Sequence, residues 1–175
     1  MAAEPYAVLV VMGVSGSGKS TIAALLAARL GWEYADGDWF HPQANIDKMH
    51  AGHPLTDDDR WPWLRAIAAW IDETRGNGGH AVIACSALKR AYRDILIGPR
   101  TDVGLVYLKG GHELIAKRLS LRNGHFMPPA LLDSQFAALE EPGADEHPIT
   151  VTIAGRPQDI VADILHRLAA VGAAA

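Results

Sequence analysis

The sequence predicts an α/β fold, a parallel sheet with helices on both faces and a phosphate-gripping loop at its centre. Three observations carry this. Val8-Leu9-Val10-Val11-Met12 is an uninterrupted apolar run, as a strand buried on both faces requires. Gly13-Val14-Ser15-Gly16-Ser17-Gly18-Lys19-Ser20 follows at once and reads G-x-x-x-x-G-K-S. Beyond it, the segments run β-α-β-α-α-β-α-β-α-lid-α-β-α, the alternation of a parallel sheet with crossover helices.

The loop is the most informative stretch. Glycines let the backbone curl until several N–H groups converge on one anion, and the following helix adds the positive end of its dipole. That helix is expected from Thr21 to Leu30, with Gly31 as its stop. Lys19 is placed to reach β- and γ-phosphate oxygens, and the Ser20 hydroxyl to ligate Mg²⁺. Gly13, Ser15, Gly16, Ser17, Gly18, Lys19, Ser20 and Thr21 are therefore the candidate nucleotide-phosphate residues.

Trp32–Ala35 is a short strand candidate running into Asp36-Gly37-Asp38-Trp39-Phe40-His41-Pro42. Two carboxylates two apart share a face of a strand. They admit two readings: an ordinary Asp-Gly turn, or a Mg²⁺-directed carboxylate beside one that meets an acceptor hydroxyl. The phosphate loop upstream favours the second. Asn45–His50 reads as a short helix. A longer one opens in Thr56-Asp57-Asp58-Asp59, with Trp61, Leu64, Ile67, Ala68 and Ile71 as its apolar stripe. Pro62 should lie in its first turn, which makes Asp58 or Asp59 the expected cap. Arg60 works against the dipole there, so it is either a partner of the acidic run or an anion ligand.

His80–Cys85 is the next buried strand. It ends on Cys85-Ser86 where many phosphate-loop enzymes place a metal-directed Asp, which leaves Asp36 as the metal candidate. Cys85 itself reads as a small buried apolar residue. Lys89, Arg90 and Arg93 then crowd the start of a helix, an unfavourable place for three cations unless some face an anion. Val103–Lys109 is a fourth strand and Gly111–Leu121 its helix. Arg118 and Arg122, the Gly124 loop and Pro128-Pro129 together read as a lid at about 118–130. Its arginines would neutralise transition-state charge. Pro129–Leu139 is a further helix, Ile149–Ile153 the last strand, and Gln158–Leu168 the last helix, with fraying expected beyond Gly172.

The bulk properties exclude several classes. With 175 residues there is room for one domain with a real core. A formal charge of −4 disfavours a general nucleic-acid or acidic-membrane surface. A lone cysteine forms neither an internal disulfide nor a cysteine metal cluster. The start lacks the regions of a secretory signal and no apolar stretch is long enough for a membrane span. The expected setting is thus cytoplasmic, with neither nucleic acid nor membrane as partner.

Several stretches resemble the bacterial gluconokinases, a branch of the small P-loop kinases that includes shikimate kinase. They are the phosphate loop, Asp36-Gly37-Asp38-Trp39-Phe40-His41-Pro42, Asp57-Asp58-Asp59-Arg60-Trp61-Pro62-Trp63-Leu64, Cys85-Ser86-Ala87-Leu88-Lys89, Gly124-His125-Phe126 and Glu141-Pro142-Gly143-Ala144-Asp145-Glu146. The phosphate loop is shared widely; the others are more specific. The resemblance implies a P-loop NTPase-type three-layer α/β/α fold with five strands in the order 2-3-1-4-5, and often a homodimer. It implies transfer of the ATP γ-phosphate to the 6-hydroxyl of D-gluconate, with Mg²⁺. Ser20 and Asp36 would hold the metal, and Lys19, Asp38 and Arg122 would serve catalysis. Asp38, His41, Arg60, Lys89, Arg93 and His125 would bind substrate. Arg118 and Arg156 would join the nucleotide site, although the turn Gly155-Arg156-Pro157 departs from many relatives. Rival readings are a shikimate-kinase-like enzyme for another small acid or sugar, and a nucleotide-binding switch. A switch needs neither the lid arginines nor cations beside Asp38.

Overall fold

A computed structural model describes residues 4–121 and 129–174. At its centre lies β1 (Val8–Met12), every residue of which is buried. Val8, Val10 and Met12 face one helical layer and Leu9 and Val11 the other. That two-sided burial explains the unbroken apolar run, since a half-solvated strand would alternate. Each fully buried Leu or Val contributes about 1.5–3 kcal/mol relative to exposure.

The flanking strands are β2 (Glu33–Asp36), β3 (Ala81–Ala84), β4 (Val103–Lys109) and β5 (Ile149–Thr152). They pair in parallel in the order 2-3-1-4-5. On one face pack α1 (Lys19–Leu30), α5 (His112–Ser120), α6 (Pro129–Ala138) and α7 (Pro157–Ala174), through Ile22, Leu26, Ile115, Leu132 and Ile164. On the other pack α3 (Asp57–Gly76) and α4 (Arg90–Leu96), through Leu64, Ile67, Ile71, Tyr92 and Leu96. A short 3₁₀ turn (Gly37–Phe40) and α2 (Gln43–His50) link β2 to α3. Among the described residues no helix is long and apolar enough to cross a membrane.

Three local expectations change. Helix α1 starts at Lys19 rather than Thr21, because Gly18 in the left-handed region (φ 91) closes the phosphate loop and opens the helix in one step. Helix α7 continues through Gly172 to Ala174, where Pro5 lies 3.7 Å from the position a Cβ on Gly172 would take. Helix α3 is capped by Thr56, not by Asp58 or Asp59. The Thr56 hydroxyl accepts from Asp59 N–H, and the Asp59 carboxylate accepts from Thr56 N–H, a reciprocal capping box. Pro62 consequently falls inside the helix, past the first turn, and the helix runs through it.

The carboxyl ends of β1, β2 and β3 therefore deliver the phosphate loop, the Asp36–Asp38 stretch and the Cys85–Lys89 loop to one edge of the sheet. Ligands bind there in open α/β sheets, where the strand order switches.

Candidate active site

The phosphate loop depends on glycine at two points. Gly16 has φ +82, and a Cβ there would fall 2.8 Å from the Leu119 side chain; Gly18 has φ +91. Ser17 is buried, and its hydroxyl has no hydrogen-bond partner among the described residues. Lys19 Nζ donates to Val14 O at 3.1 Å, folding the ammonium back over the loop. Beside the loop a cleft of about 320 Å³ is lined by Gly16, Gly18, Thr21, Arg118, Gly155 and Pro157. Its size and flanks suit a nucleobase next to a phosphate cradle. The Arg118 guanidinium donates to the Ile153 carbonyl at the end of β5, which anchors it on the cleft wall. Arg156 does not line this cleft: its side chain is 78% exposed and paired with Asp159 along the same helix turn.

Asp36 is the hub of the metal candidates. One of its oxygens accepts from Ser20 Oγ at 2.9 Å and from Tyr34 O–H at 3.3 Å; the other accepts from Asp38 N–H at 2.9 Å. A hydroxyl and a carboxylate this close form an all-oxygen pair of the kind Mg²⁺ takes alongside phosphate oxygens and water. Among the described residues no cluster of three His, Cys, Asp or Glu residues could hold a metal alone. A divalent ion here would thus complete its shell with phosphate oxygens and water. Hydrogen bonding by Asp36 turns the chain at Gly37, which has room for no side chain: a Cβ would meet Ala84 O at 2.8 Å. Asp38 follows on the turn, and among the described residues nothing hydrogen-bonds to its carboxylate.

His41 stacks on Trp63, with ring centroids 4.3 Å apart, and Trp63 Nε1–H donates to Gly37 O at 2.7 Å. Burial holds His41 below its ordinary pKa; Asp38 pulls it up and Arg60 pushes it down. Buried Asn45 donates to Asp59 O at 2.9 Å and lies 3.3 Å from His41 Nδ1. With the Asn45 amide nitrogen fixed as the donor, His41 Nδ1 accepts and Nε2 carries the proton.

The cations split into two groups. Arg60 and Lys89 converge on Asp57 and Tyr92. Lys89 Nζ lies 3.2 Å from Asp57, Arg60 Nη1 is 3.5 Å from the Tyr92 hydroxyl and 3.7 Å from Asp57, and the Tyr92 O–H donates to Asp57. The Tyr92 hydroxyl, with Lys89 and Arg60, holds the Asp57 carboxyl below the usual range, and Asp57 in turn raises Lys89. Arg93 is different and corrects its expected role. It is 2% exposed, paired with Glu146 at 2.7 Å, and donates to the Ala87 and Leu88 carbonyls. It holds the Cys85–Lys89 loop from behind, where Ala87 sits in the left-handed region (φ 46) that a side chain seldom adopts. Arg90 is likewise spent on Asp145. Burial pushes the Cys85 thiol up to about 12, which fits an inert core residue. Arg122 and His125 lie outside the described residues.

Sequence reasoning missed Asp57, Tyr92, Asn45 and Gln135. Asp57 belongs to an acidic run that reads as a cap, and Tyr92 stands beside Arg93 with no role of its own in the sequence. Gln135 Oε1 accepts from Ser15 N–H at 3.2 Å and from Ser15 Oγ at 3.3 Å, a contact across 120 residues that no local pattern announces.

The chain is similar to known proteins along nearly its whole length. The shikimate kinase family model matches residues 15–168. A gluconokinase of Gluconobacter oxydans (strain 621H) is 47% identical over 162 residues, covering 93% of this chain and 91% of that one. The crystal structure of a gluconokinase from Sinorhizobium meliloti 1021 superposes with a TM-score of 0.87 at 42% identity, covering 97% of this chain and 94% of that one. The unliganded structure of a sugar kinase from Janibacter sp. HTCC2649 gives 0.86 at 46% identity, covering 98% and 99%.

Proposed function

The chain belongs to the gluconokinases, within the shikimate kinase family of small P-loop kinases, and on that premise we propose that it transfers the ATP γ-phosphoryl group to the 6-hydroxyl of D-gluconate. The products are 6-phospho-D-gluconate and ADP. The observation that carries this reading beyond the family is the position of His41, which feels both Asp38 and Arg60. A carboxylate beside the phosphate loop and the Arg60 guanidinium thus act on one imidazole, and Lys89 meets Arg60 at Asp57. Gluconate has the matching form, an anion at one end and a primary hydroxyl at the other.

Arg60 and Lys89 take the carboxylate end, with Arg60 offering the planar fork that suits it. The His41 Nε2–H donates to a chain hydroxyl. Asp38 aligns the terminal hydroxyl and receives its proton as the new O–P bond forms. Little base strength is required, because the transition state is loose and catalysis is mostly alignment and charge neutralisation. Lys19 and the amides from Gly16 to Thr21 hold the phosphates, and Arg118 flanks the base. Ser20 and Asp36 would hold Mg²⁺, which would supply charge neutralisation for the phosphates.

The family model's description favours shikimate as the second reading. With ATP and Mg²⁺, gluconate should be used with a kcat/KM at least about 100-fold above shikimate and above glucose, which lacks the carboxylate. Turnover of shikimate at or above that of gluconate would overturn the assignment.

A further inference from the structure

We propose that Gln135 is a γ-phosphate contact, with Oε1 fastened to the phosphate loop and its N–H groups turned to the terminal phosphoryl group. The amide orientation follows from its partner. A backbone N–H can only donate, so the atom 3.2 Å from Ser15 N is the oxygen, and the Ser15 hydroxyl donates to the same atom at 3.3 Å. Gln135 Nε2 is then left with two donors, and among the described residues none accepts from them. Half-buried donors without an acceptor among the described residues are placed for a ligand.

The ligand is a phosphoryl oxygen by position. The base cleft lies along Gly16, Gly18 and Thr21, so a nucleotide runs from there over the loop towards the acceptor side. Gln135 meets the loop at Ser15, outside the residues that line that cleft. Its helix α6 leads directly into Glu140, whose N–H donates to Leu88 O at 2.8 Å and whose carboxylate accepts from Arg90 N–H at 2.9 Å. One helix thereby spans from Ser15 to the loop that carries Lys89, and Gln135 stands between the two substrates. A neutral amide there adds donors to the γ-phosphate without disturbing the cation pair that serves the acid.

This rests on the kinase reading, but its test needs no acceptor. The intact protein with Mg²⁺ is titrated with ADP and with β,γ-imido-ATP. Gln135→Glu keeps an acceptor for Ser15 but replaces the donors with a negative charge. It should weaken imido-ATP about 30-fold while moving ADP less than about threefold. Gln135→Leu, which loses both contacts without adding charge, should show the same selectivity at about fivefold. Equal weakening of both nucleotides, or of neither, in whichever variant folds, would reduce Gln135 to a strut and overturn the proposal. Wild-type turnover of gluconate, measured separately, reports on the kinase reading itself.

Discussion

The donor and acceptor sides of the site are built from different materials. The donor side is backbone: amides curled by Gly16 and Gly18, with Lys19 laid over them and α1 starting at once. Its geometry is fixed before any ligand arrives. The acceptor side is a network of side chains from separate segments, Asp57 and Arg60 from α3, Lys89 and Tyr92 from the start of α4, braced by Arg93 and Glu146. A backbone cradle suits a ligand common to many enzymes, whereas a side-chain network can be re-specified one residue at a time. The donor side should fail in rate when its phosphate-loop cation, Lys19, is lost. The acceptor side should fail in stability or in affinity, depending on which cation goes.

The largest effect belongs to Lys19. On the proposed mechanism its ammonium would neutralise charge that grows in the transition state, so Lys19→Ala should lower kcat by about 10³-fold with the melting temperature nearly unchanged. A loss confined to the KM for gluconate would erase the distinction between the two sides.

Arg93 comes next, as an effect on stability. Arg93→Ala leaves Glu146 and the Ala87 and Leu88 carbonyls without their donor, and breaking such a buried pair costs about 3–5 kcal/mol. In Glu146, burial opposes ionisation, yet Arg93 and the Gly143 N–H keep its pKa lowered. The measurement is denaturant unfolding. A fully stable Arg93→Ala protein with a raised KM for gluconate would return Arg93 to the substrate site.

This contrast also explains what could be read from the chain. The donor side is one contiguous motif between a strand and a helix, so the phosphate loop and the parallel sheet around it were legible, while the strand order came only with the family resemblance and Arg156 was misplaced. Asp36 was legible too, because strand ends deliver residues to the same edge. Arg93 was not, since the carboxylate that claims it lies 53 residues away in an acidic loop whose likeness to the family does not say what it pairs with. Four residues earlier, Lys89 carries the same charge at the same helix start but is partly exposed, and among the described residues its ammonium meets only Asp57 and Tyr92. Burial decided between them, and no one-dimensional pattern encodes that. Thr56 was passed over as a cap because Pro62 was expected to bound the first turn.

On the acceptor side itself, Arg60→Ala should raise the KM for gluconate about 10- to 100-fold and leave the KM for ATP within about twofold. If the KM for ATP moved instead, the two sides would not be separable by charge.

The smallest effect probes how a side-chain site depends on the helix beneath it. Asp57 and Arg60 stand in the first turn of α3, which the Thr56 cap opens. Thr56→Ala removes one acceptor from that turn and should cost about 1 kcal/mol. Because Arg60 loses orientation but not charge, the KM for gluconate should rise only about two- to threefold. The other half of the box has its own signature. Lys48 and Thr56 N–H hold the Asp59 carboxyl near about 2, below its ordinary 3.8. A depressed folded-state value means stability present above pH 4 and lost as pH falls towards 2. The melting temperature should therefore decline through that window, and Asp59→Asn should flatten the decline while leaving kcat near that of the wild type. An Asp59→Asn protein with an unaltered acid limb would show that the box does not hold α3 in place. Arg60 would then owe its direction to Tyr92 and Asp57 alone.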